Sequence, residues 1–138
     1  MAAKDLFHEA VKQALLKDDW SITADPLKIK IEGVKFEIDL AAEKVIAAQK
    51  AEQKIAVEIK SFLNTSAITD FHAALGQFLN YRLALKMLES DRILYLAVPS
   101  DTFESFFQEK FTQEAVKFYQ VKLLIYNPVQ EVIIKWIN

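Results

Sequence analysis

The stretch Lys54-Ile55-Ala56-Val57-Glu58-Ile59-Lys60 has the alternation of a β-strand, and the rest of the chain can be interpreted around it. Successive side chains of a strand point to opposite faces. The three β-branched residues therefore share one face, and Glu58 and Lys60 lie together on the other. An acid and a base on a largely buried strand cost desolvation free energy unless they are paired or used. This strand is therefore the first candidate for a functional site.

The composition of the chain predicts one globular domain that spans residues 1–138. Hydrophobic residues make up 52% of it, and the two glycines and three prolines are too few for a disordered or low-complexity chain. The absence of cysteine excludes a disulfide framework and a zinc site with cysteine ligands. No apolar run approaches the length of a membrane span, so we expect a cytoplasmic protein. A net charge of −2 argues against binding nucleic acid by bulk electrostatics, but not against an enzyme that meets DNA through a metal ion.

Hydrophobic periodicity predicts the order of the secondary-structure elements. The predicted helices cover residues 4–17, 67–89 and 102–119. The predicted strands cover residues 27–31, 34–39, 45–50, 54–62, 92–99, 121–126 and 131–136. Residues 20–26 are predicted to be a connector, and a turn near residues 51–53 is predicted to close the second hairpin. This order indicates an α/β domain with a mixed central β-sheet flanked by helices.

The acidic residues near this strand suggest a metal-dependent phosphodiesterase site. Mg²⁺ prefers oxygen ligands and is often held by one or two carboxylates, while water and phosphate complete its shell. Asp39 and Glu58 could supply the carboxylates, and the Ile59 carbonyl a third protein ligand. Lys60 would position or deprotonate the attacking water and stabilise the charge that develops on the phosphate. The alternative is an ordinary salt bridge between Glu58 and Lys60, which contributes little to stability.

The sequence leaves open which acid faces Glu58. With a turn near residues 51–53, antiparallel pairing sets Glu58 across from about Val45, which is closer to Glu43 than to Asp39. A bulge around residues 40–42 would bring Asp39 back to Glu58. Asp39 is therefore the first choice as the second metal ligand, and Glu43 is the alternative.

The order of several polar residues along the chain resembles the PD-(D/E)xK nuclease superfamily. A first helix with Glu9, a strand ending in Asp39 and the tripeptide Glu58-Ile59-Lys60 precede a helix with Gln77 and Tyr81. The resemblance implies a restriction-endonuclease-like fold in which the aspartate and glutamate bind Mg²⁺ or Mn²⁺ and the lysine assists the nucleophile. It also implies that Glu9 joins the metal site. Gln77 and Tyr81 match the Gln-x-x-x-Tyr element of RecB-like members of the superfamily.

Four polar residues on the predicted helices have simpler interpretations. Gln77 and Tyr81 share a helix face, so the alternative to a role in the site is a hydrogen-bond pair between helix and sheet. His8 and His72 show no spacing typical of metal ligands, and we interpret them as ordinary surface or packed residues.

A longer and more specific resemblance covers nearly the whole chain. It is carried by six ungapped segments, residues 5–8, 20–26, 38–44, 55–62, 74–78 and 92–97. These segments resemble the XisH family, the fdxN-element excision controlling factors. The resemblance implies a cyanobacterial setting, a role in the developmentally controlled excision of a DNA element, and a partner factor, XisI.

Together these patterns predict a DNA-directed, Mg²⁺-dependent endonuclease in the programmed excision of a DNA element. The alternative is a non-catalytic control protein that keeps the nuclease-like fold and acts through a protein partner. The small size and acidic net charge favour this alternative, whereas the set Glu9, Asp39, Glu58 and Lys60 favours the enzyme. By analogy with nucleases that cut two strands, a homodimer is plausible.

Overall fold

A computed structural model describes residues 3–49 and 51–138 of the chain. The helices are α1 (Ala3–Lys17), α2 (Ala67–Leu88), α3 (Ser100–Glu104) and α4 (Lys110–Phe118). The strands are β1 (Ser21–Ala24), β2 (Leu27–Ile31), β3 (Val34–Ile38), β4 (Leu40–Ile46), β5 (Ala51–Ile59), β6 (Arg92–Pro99), β7 (Leu123–Asn127) and β8 (Val132–Ile137). Short 3-10 turns lie at Ala47–Gln49 and Phe106–Gln108. No helix in the described ranges is long and apolar enough to cross a membrane.

Within the described residues, six strands form the main sheet in the order β1-β4-β5-β6-β7-β8. The central strands β5, β6 and β7 are parallel, whereas β4 and β1 on one side and β8 on the other run antiparallel to their neighbours. Helix α2 connects β5 to β6, and the segment that contains α3 and α4 connects β6 to β7. Such helical crossovers are what parallel strands require.

The hairpin of β2 and β3 forms a separate two-stranded sheet. It lies between β1 and β4 in the sequence and packs against α2. Asp39 is the only residue between the end of β3 and the start of β4, and it therefore joins the two sheets.

Apolar side chains are buried on both faces of the main sheet. On one face Val11 and Leu15 of α1 pack with Val57 of β5, and on the other face Phe78 of α2 packs with Leu96 of β6. All five side chains are fully buried. Each such side chain contributes about 1.5–3 kcal/mol of transfer free energy, so the two layers hold the helices on the sheet.

A side-chain cap begins α2. Ser66 has an extended conformation and its hydroxyl accepts a hydrogen bond from the Thr69 backbone N–H at 3.3 Å. This N-cap satisfies one of the backbone donors that have no partner within the helix. The helix ends at Leu88, one residue before the predicted end.

Several predicted segments differ in the structure. The strands predicted over residues 45–50 and 54–62 correspond to β4 and β5, which begin earlier, at Leu40 and Ala51. Residues 20–26 were predicted to be a connector, but they contain β1, which pairs with β4. The helix predicted over residues 102–119 is divided into α3, a 3-10 turn with the buried Phe106 and Phe107, and α4. The division follows the backbone, which leaves helical geometry at Ser105 and is extended at Glu109. The predicted class is confirmed: this is a mixed α/β fold with a central mixed sheet flanked by helices.

Candidate acidic site at the end of a central strand

The pairing of β4 with β5 places Asp39 beside Glu58. Leu40 pairs with Val57, so the next step outward along the antiparallel ladder sets Asp39 opposite Glu58. The Asp39 backbone N–H donates a hydrogen bond to Glu58 Oε1 at 3.3 Å. The Ile59 backbone N–H donates to Asp39 Oδ2 at 2.8 Å. Both carboxylates are therefore anchored at the place where the hairpin opens.

The turn that sets this register lies earlier than predicted. A 3-10 turn at Ala47–Gln49 closes the hairpin, whereas residues 51–53 already belong to β5. The predicted pairing of Glu58 with Val45 is therefore wrong, and the ladder from residue 40 to residue 46 needs no bulge. Glu43 pairs with Lys54, and its carboxylate lies 3.5 Å from the Arg92 guanidinium. Of the two acids considered in the sequence, Asp39 is the one beside Glu58.

Burial changes the acid–base chemistry of Glu58. Its side chain is almost fully buried, with a residue exposure of 5%. Burial, together with the negative charge of Asp39, raises the pKa of Glu58 to about 7, although the positive charge of Lys60 opposes this effect. Lys60 Nζ lies 3.4 Å from Glu58 Oε2 and its side chain is 25% exposed. A cation or a proton is therefore needed beside Glu58 to offset the two neighbouring negative charges.

Asp39 and Lys60 line a cleft of about 320 Å³ beyond the end of β5. The cleft is closed on one side by Phe7 and His8 of α1 and on another by the loop that leads into α2. His8 Nε2 lies 2.7 Å from Asp25 Oδ1. This contact fixes the imidazole at the wall of the cleft.

The loop before α2 adds further polar groups to the cleft. Asp70, in the first turn of α2, accepts hydrogen bonds from the Asn64 backbone N–H at 3.3 Å and from the Asn64 side-chain amide at 2.6 Å. Both residues line the cleft together with Ser61. The cleft thus has a floor and rim of hydrogen-bonding groups beside the Asp39–Glu58 pair.

The structure does not bring Glu9 to the other predicted ligands. Glu9 is exposed and accepts a hydrogen bond from Gln13 at 2.8 Å, and it lines a different surface depression with Asp5 and Glu131. It is His8, the neighbouring residue on α1, that faces the cleft with Asp39. Among residues 3–49 and 51–138, no three acidic or histidine side chains lie close enough together to hold a metal ion.

Tyr81 lies near the acidic pair, whereas Gln77 is peripheral. Burial, together with the negative charges of Glu58 and Asp39, raises the pKa of the Tyr81 phenol. Its ring packs edge to face against Phe36 of β3, with ring centroids 6.1 Å apart. Gln77, one turn earlier on α2, is exposed and makes no side-chain hydrogen bond within the described part of the chain. The two residues therefore do not form the helix–sheet hydrogen-bond pair considered as their alternative.

The donor atoms at this site fit a hard divalent cation. The carboxylates of Asp39 and Glu58 lie side by side. In a β-strand, the N–H and C=O of one residue point toward the same neighbouring strand. Because the Ile59 N–H points to Asp39, its carbonyl points to that side as well. Two carboxylates and a carbonyl are oxygen ligands of the kind that Mg²⁺ accepts, and a cation there would offset the charge of the pair.

Sequence reasoning missed three polar residues of the cleft. His8 was interpreted as an ordinary helix residue because no second histidine or cysteine stands at a ligand spacing from it. Asn64 and Asp70 gave only the general signal of a helix start. Their contacts with the cleft depend on how α1 and α2 are rotated about their axes, which periodicity within a helix does not determine.

The fold and this site define a class: a mixed α/β protein with a pair of acids, a buried glutamate and a half-buried aspartate, beside a lysine at the open end of a central hairpin. The family model described as XisH protein matches residues 1–134. The chain therefore belongs to the XisH family.

Two solved structures resemble the chain over nearly its whole length. The crystal structure of an XisH family protein from Nostoc punctiforme PCC 73102 has a TM-score of 0.89 at 52% identity, covering 97% of this chain and 100% of that one. The crystal structure of an fdxN element excision controlling factor protein from Anabaena variabilis has a TM-score of 0.88 at 56% identity, covering 97% of this chain and 99% of that one. No curated protein matches the chain.

Proposed function

We propose that the protein is a DNA endonuclease of restriction-endonuclease-like fold and PD-(D/E)xK type that acts in the programmed excision of a DNA element. The observation that carries the proposal is the Asp39–Glu58 pair, with Lys60 beside it at the wall of a cleft. The related protein from Anabaena variabilis is described as an fdxN element excision controlling factor, and this supports the part of the proposal that concerns excision.

The proposed reaction is hydrolysis of a phosphodiester. Water attacks the phosphorus atom, the bond from phosphorus to the leaving sugar oxygen breaks, and that oxygen takes up a proton. Lys60 Nζ, 3.4 Å from the Glu58 carboxylate, would orient the water and stabilise the negative charge that develops on the phosphate oxygens. Tyr81 and Gln77 are proposed as supporting residues on α2, and Tyr81 acts by keeping water away from the buried side of Glu58.

Mg²⁺, or Mn²⁺ in its place, is the proposed cofactor, with Asp39, Glu58 and the Ile59 carbonyl as its protein ligands. When bound, the ion supplies Lewis-acid polarisation of the phosphate and a potent nucleophile at neutral pH. Because burial raises the pKa of Glu58 to about 7, the carboxylate form needed for cation binding becomes dominant above that pH. Affinity for Mg²⁺ is therefore expected to increase as the pH rises through neutrality.

The experiment is cleavage of duplex, branched and single-stranded DNA by the purified protein in the presence of Mg²⁺ or Mn²⁺. Lys60→Ala is expected to reduce the cleavage rate by roughly 100-fold or more, since it removes a charged group at the reacting phosphate. Lys110→Ala is the matched control, because Lys110 is exposed at the start of α4, away from the cleft. Equal rates for wild type and Lys60→Ala would refute the mechanism.

A second candidate function is favoured by a specific observation. In the described part of the chain no third acidic or histidine side chain is close enough to hold a metal ion together with the acid pair, and Lys60 already neutralises part of the charge of the pair. A non-cleaving control protein that acts through a protein partner such as XisI accounts for this smaller acidic site. Absence of cleavage on every substrate, with and without XisI, would favour this function over the endonuclease.

Both candidate functions involve partners that can be measured. We propose that the protein works in the cytoplasm with XisI and DNA, and that it forms a homodimer. Size-exclusion chromatography with light scattering, on the chain alone and mixed with XisI, gives the stoichiometry of each complex. A monomer that forms no complex with XisI would contradict both proposed assemblies.

A further inference from the structure

A large groove lies at the opposite end of the central strands from the acidic site. It has a volume of about 750 Å³ and is formed where β6 and β7 begin and where α2 and α4 end. Arg92 at the start of β6 lines the groove, whereas Leu96 of the same strand pairs with Glu58. Four residues of strand separate these positions by about 13 Å. A molecule in this groove would therefore not cover the Asp39–Glu58 pair.

The lining of the groove is strongly basic. Five cationic side chains and no aspartate or glutamate line it among the described residues; the five are Arg82, Lys86, Arg92, Lys117 and Lys122. The chain as a whole carries a net charge of −2, so this concentration of positive charge is local. A concave surface with one sign of charge attracts ligands of the opposite sign.

Most of this positive charge has no carboxylate to neutralise it. Arg92 is buried and paired with Glu43 and Glu89. The other four cationic residues form no ion pair within residues 3–49 and 51–138. The Arg82 guanidinium donates hydrogen bonds of 2.9 Å to the backbone carbonyls of Tyr119 and Gln120, which hold it at the edge of the groove.

Helix ends explain only part of this pattern. Lys86 and Lys117 lie in the last turns of α2 and α4, where a cation is favourable to the helix dipole. Arg82 is more than one turn from the end of α2, but it donates to the Tyr119 and Gln120 carbonyls and therefore also lies at the C-terminal end of α4. Lys122 lies outside any helix. Neither its position nor the absence of acids from the lining follows from the dipole effect.

The floor of the groove is apolar. Ile93, which is 37% exposed, and the half-buried Val116 and Ile137 form part of it. Next to Lys117, the exposed Phe118 packs edge to face against Tyr119, with ring centroids 5.0 Å apart. An apolar floor gives contact area to the apolar face of an amphipathic segment, whereas a surface that binds only the duplex DNA backbone needs the cations alone.

We propose that this basic groove binds an acidic amphipathic segment of a partner protein, with its apolar side chains on the floor and its carboxylates against the basic rim. The charges supply complementarity and the floor supplies apolar contact area. This inference does not depend on nuclease activity, because the groove and the acidic site share no lining residue.

The test uses the full chain and a panel of synthetic 16-residue helical peptides with leucine on one face and glutamate on the other. Fluorescence anisotropy measures affinity, and NMR chemical-shift changes locate the bound peptide. The triple variant Lys86→Glu/Lys117→Glu/Lys122→Glu is expected to weaken binding by at least about 10-fold. A matched control with the same change in net charge, Lys28→Glu/Lys30→Glu/Lys35→Glu, places the charges on the exposed face of the β2–β3 hairpin and should leave binding unchanged.

Several outcomes would overturn the proposal. They are failure of the whole panel to bind at millimolar concentration, equal loss of affinity in both triple variants, and equal binding by a scrambled peptide of the same composition. Preferential binding of 16-base-pair duplex DNA at the groove would assign it to nucleic acid instead. Circular dichroism and thermal unfolding establish that the triple variants fold. Glu58→Gln should bind the peptide with wild-type affinity, so loss of nuclease function and loss of docking remain distinguishable.

Discussion

Replacing Glu58 with glutamine removes the charge of the buried carboxyl group at the centre of the acidic site while keeping its shape. The glutamine side-chain carbonyl can still accept the hydrogen bond that the Asp39 backbone N–H donates to Glu58 Oε1. Lys60 loses its partner, but its side chain is partly exposed and can turn to solvent. The substitution therefore isolates the free-energy cost of holding a negative charge beside Asp39.

The size of this cost follows from the pKa of Glu58. Burial and the charge of Asp39 raise it from about 4.5 to about 7, and each pKa unit is equivalent to about 1.4 kcal/mol. Below about pH 4.5 the carboxyl is protonated in both the folded and the unfolded chain, so its ionisation does not lower the free energy of unfolding. As the pH rises to about 7, only the unfolded chain releases the proton, so the folded state loses stability relative to it. Above that pH the reduction in the free energy of unfolding is constant at about 3 kcal/mol.

Urea unfolding without divalent cations measures the effect. Glu58→Gln is expected to be more stable than wild type by about 3 kcal/mol near pH 8, and to show almost no difference near pH 4.5. Glu9→Gln is the matched control, because Glu9 is exposed and among the described residues its side chain is hydrogen-bonded only to Gln13, and the variant should show no such pH dependence. Added Mg²⁺ should stabilise wild type near pH 8 but not Glu58→Gln.

The reasoning would be refuted by one clear result. If Glu58→Gln is destabilised equally at both pH values, then the side chain stabilises the fold independently of its ionisation, and its negative charge is not held at a cost. Stabilisation by Mg²⁺ of equal size in both proteins would place the cation elsewhere.

Three further changes probe polar groups in other parts of the fold. Asp25→Asn removes a carboxylate near Lys12 and His8. Partial burial raises the pKa of this carboxyl, but Lys12 and His8 lower it by more. At this exposed position the free energy of unfolding in urea should fall by at most about 1 kcal/mol near pH 7, and the difference should disappear below about pH 3. Tyr126→Phe removes a buried hydroxyl that has no hydrogen-bond partner among the described residues, and calorimetry should show unchanged or higher stability, by up to about 1 kcal/mol. Arg92→Met leaves the carboxylates of Glu43 and Glu89 without this partner, and it should lower the free energy of unfolding in urea by about 2 kcal/mol. An unchanged unfolding midpoint would contradict a stabilising role for this ion-pair cluster.

The elements of the fold follow closely from hydrophobic periodicity. The boundaries of α1, α2 and β6 lie within one residue of those predicted, because these segments are long, strongly patterned, and bounded by clear caps or turns. The strand β1 was missed because four residues with a weak burial pattern do not stand out from a connector. It becomes a strand by pairing with β4, which is a tertiary effect.

The register of the central hairpin could not be derived with the same certainty. Val45 and Ile46 continue an apolar run in which no glycine or proline marks the turn, so the turn was predicted a few residues too late. The shift moved the predicted partner of Glu58 from Asp39 to Val45. A strand pattern defines which face a residue occupies but leaves its partner dependent on the turn.

The sequence also did not determine which helix side chains meet the cleft. Periodicity predicts that Glu9 lies off the apolar stripe of α1, but not that His8 is the residue which meets the cleft. Tyr81 was predicted to lie near the acids and does so, because it continues the buried side of α2 marked by Phe78 and Leu85. Their chemical roles stay predictions until cleavage is measured.

The position of Asp39 between two sheets has a mechanical consequence. Asp39 alone connects the end of the β2–β3 hairpin to β4, whereas Asp25 and Pro26 connect the start of the hairpin to β1. The Asp39 backbone N–H and carboxylate are both hydrogen-bonded to residues at the end of β5. A displacement of this end of the hairpin would therefore act first on Asp39 and on its separation from Glu58.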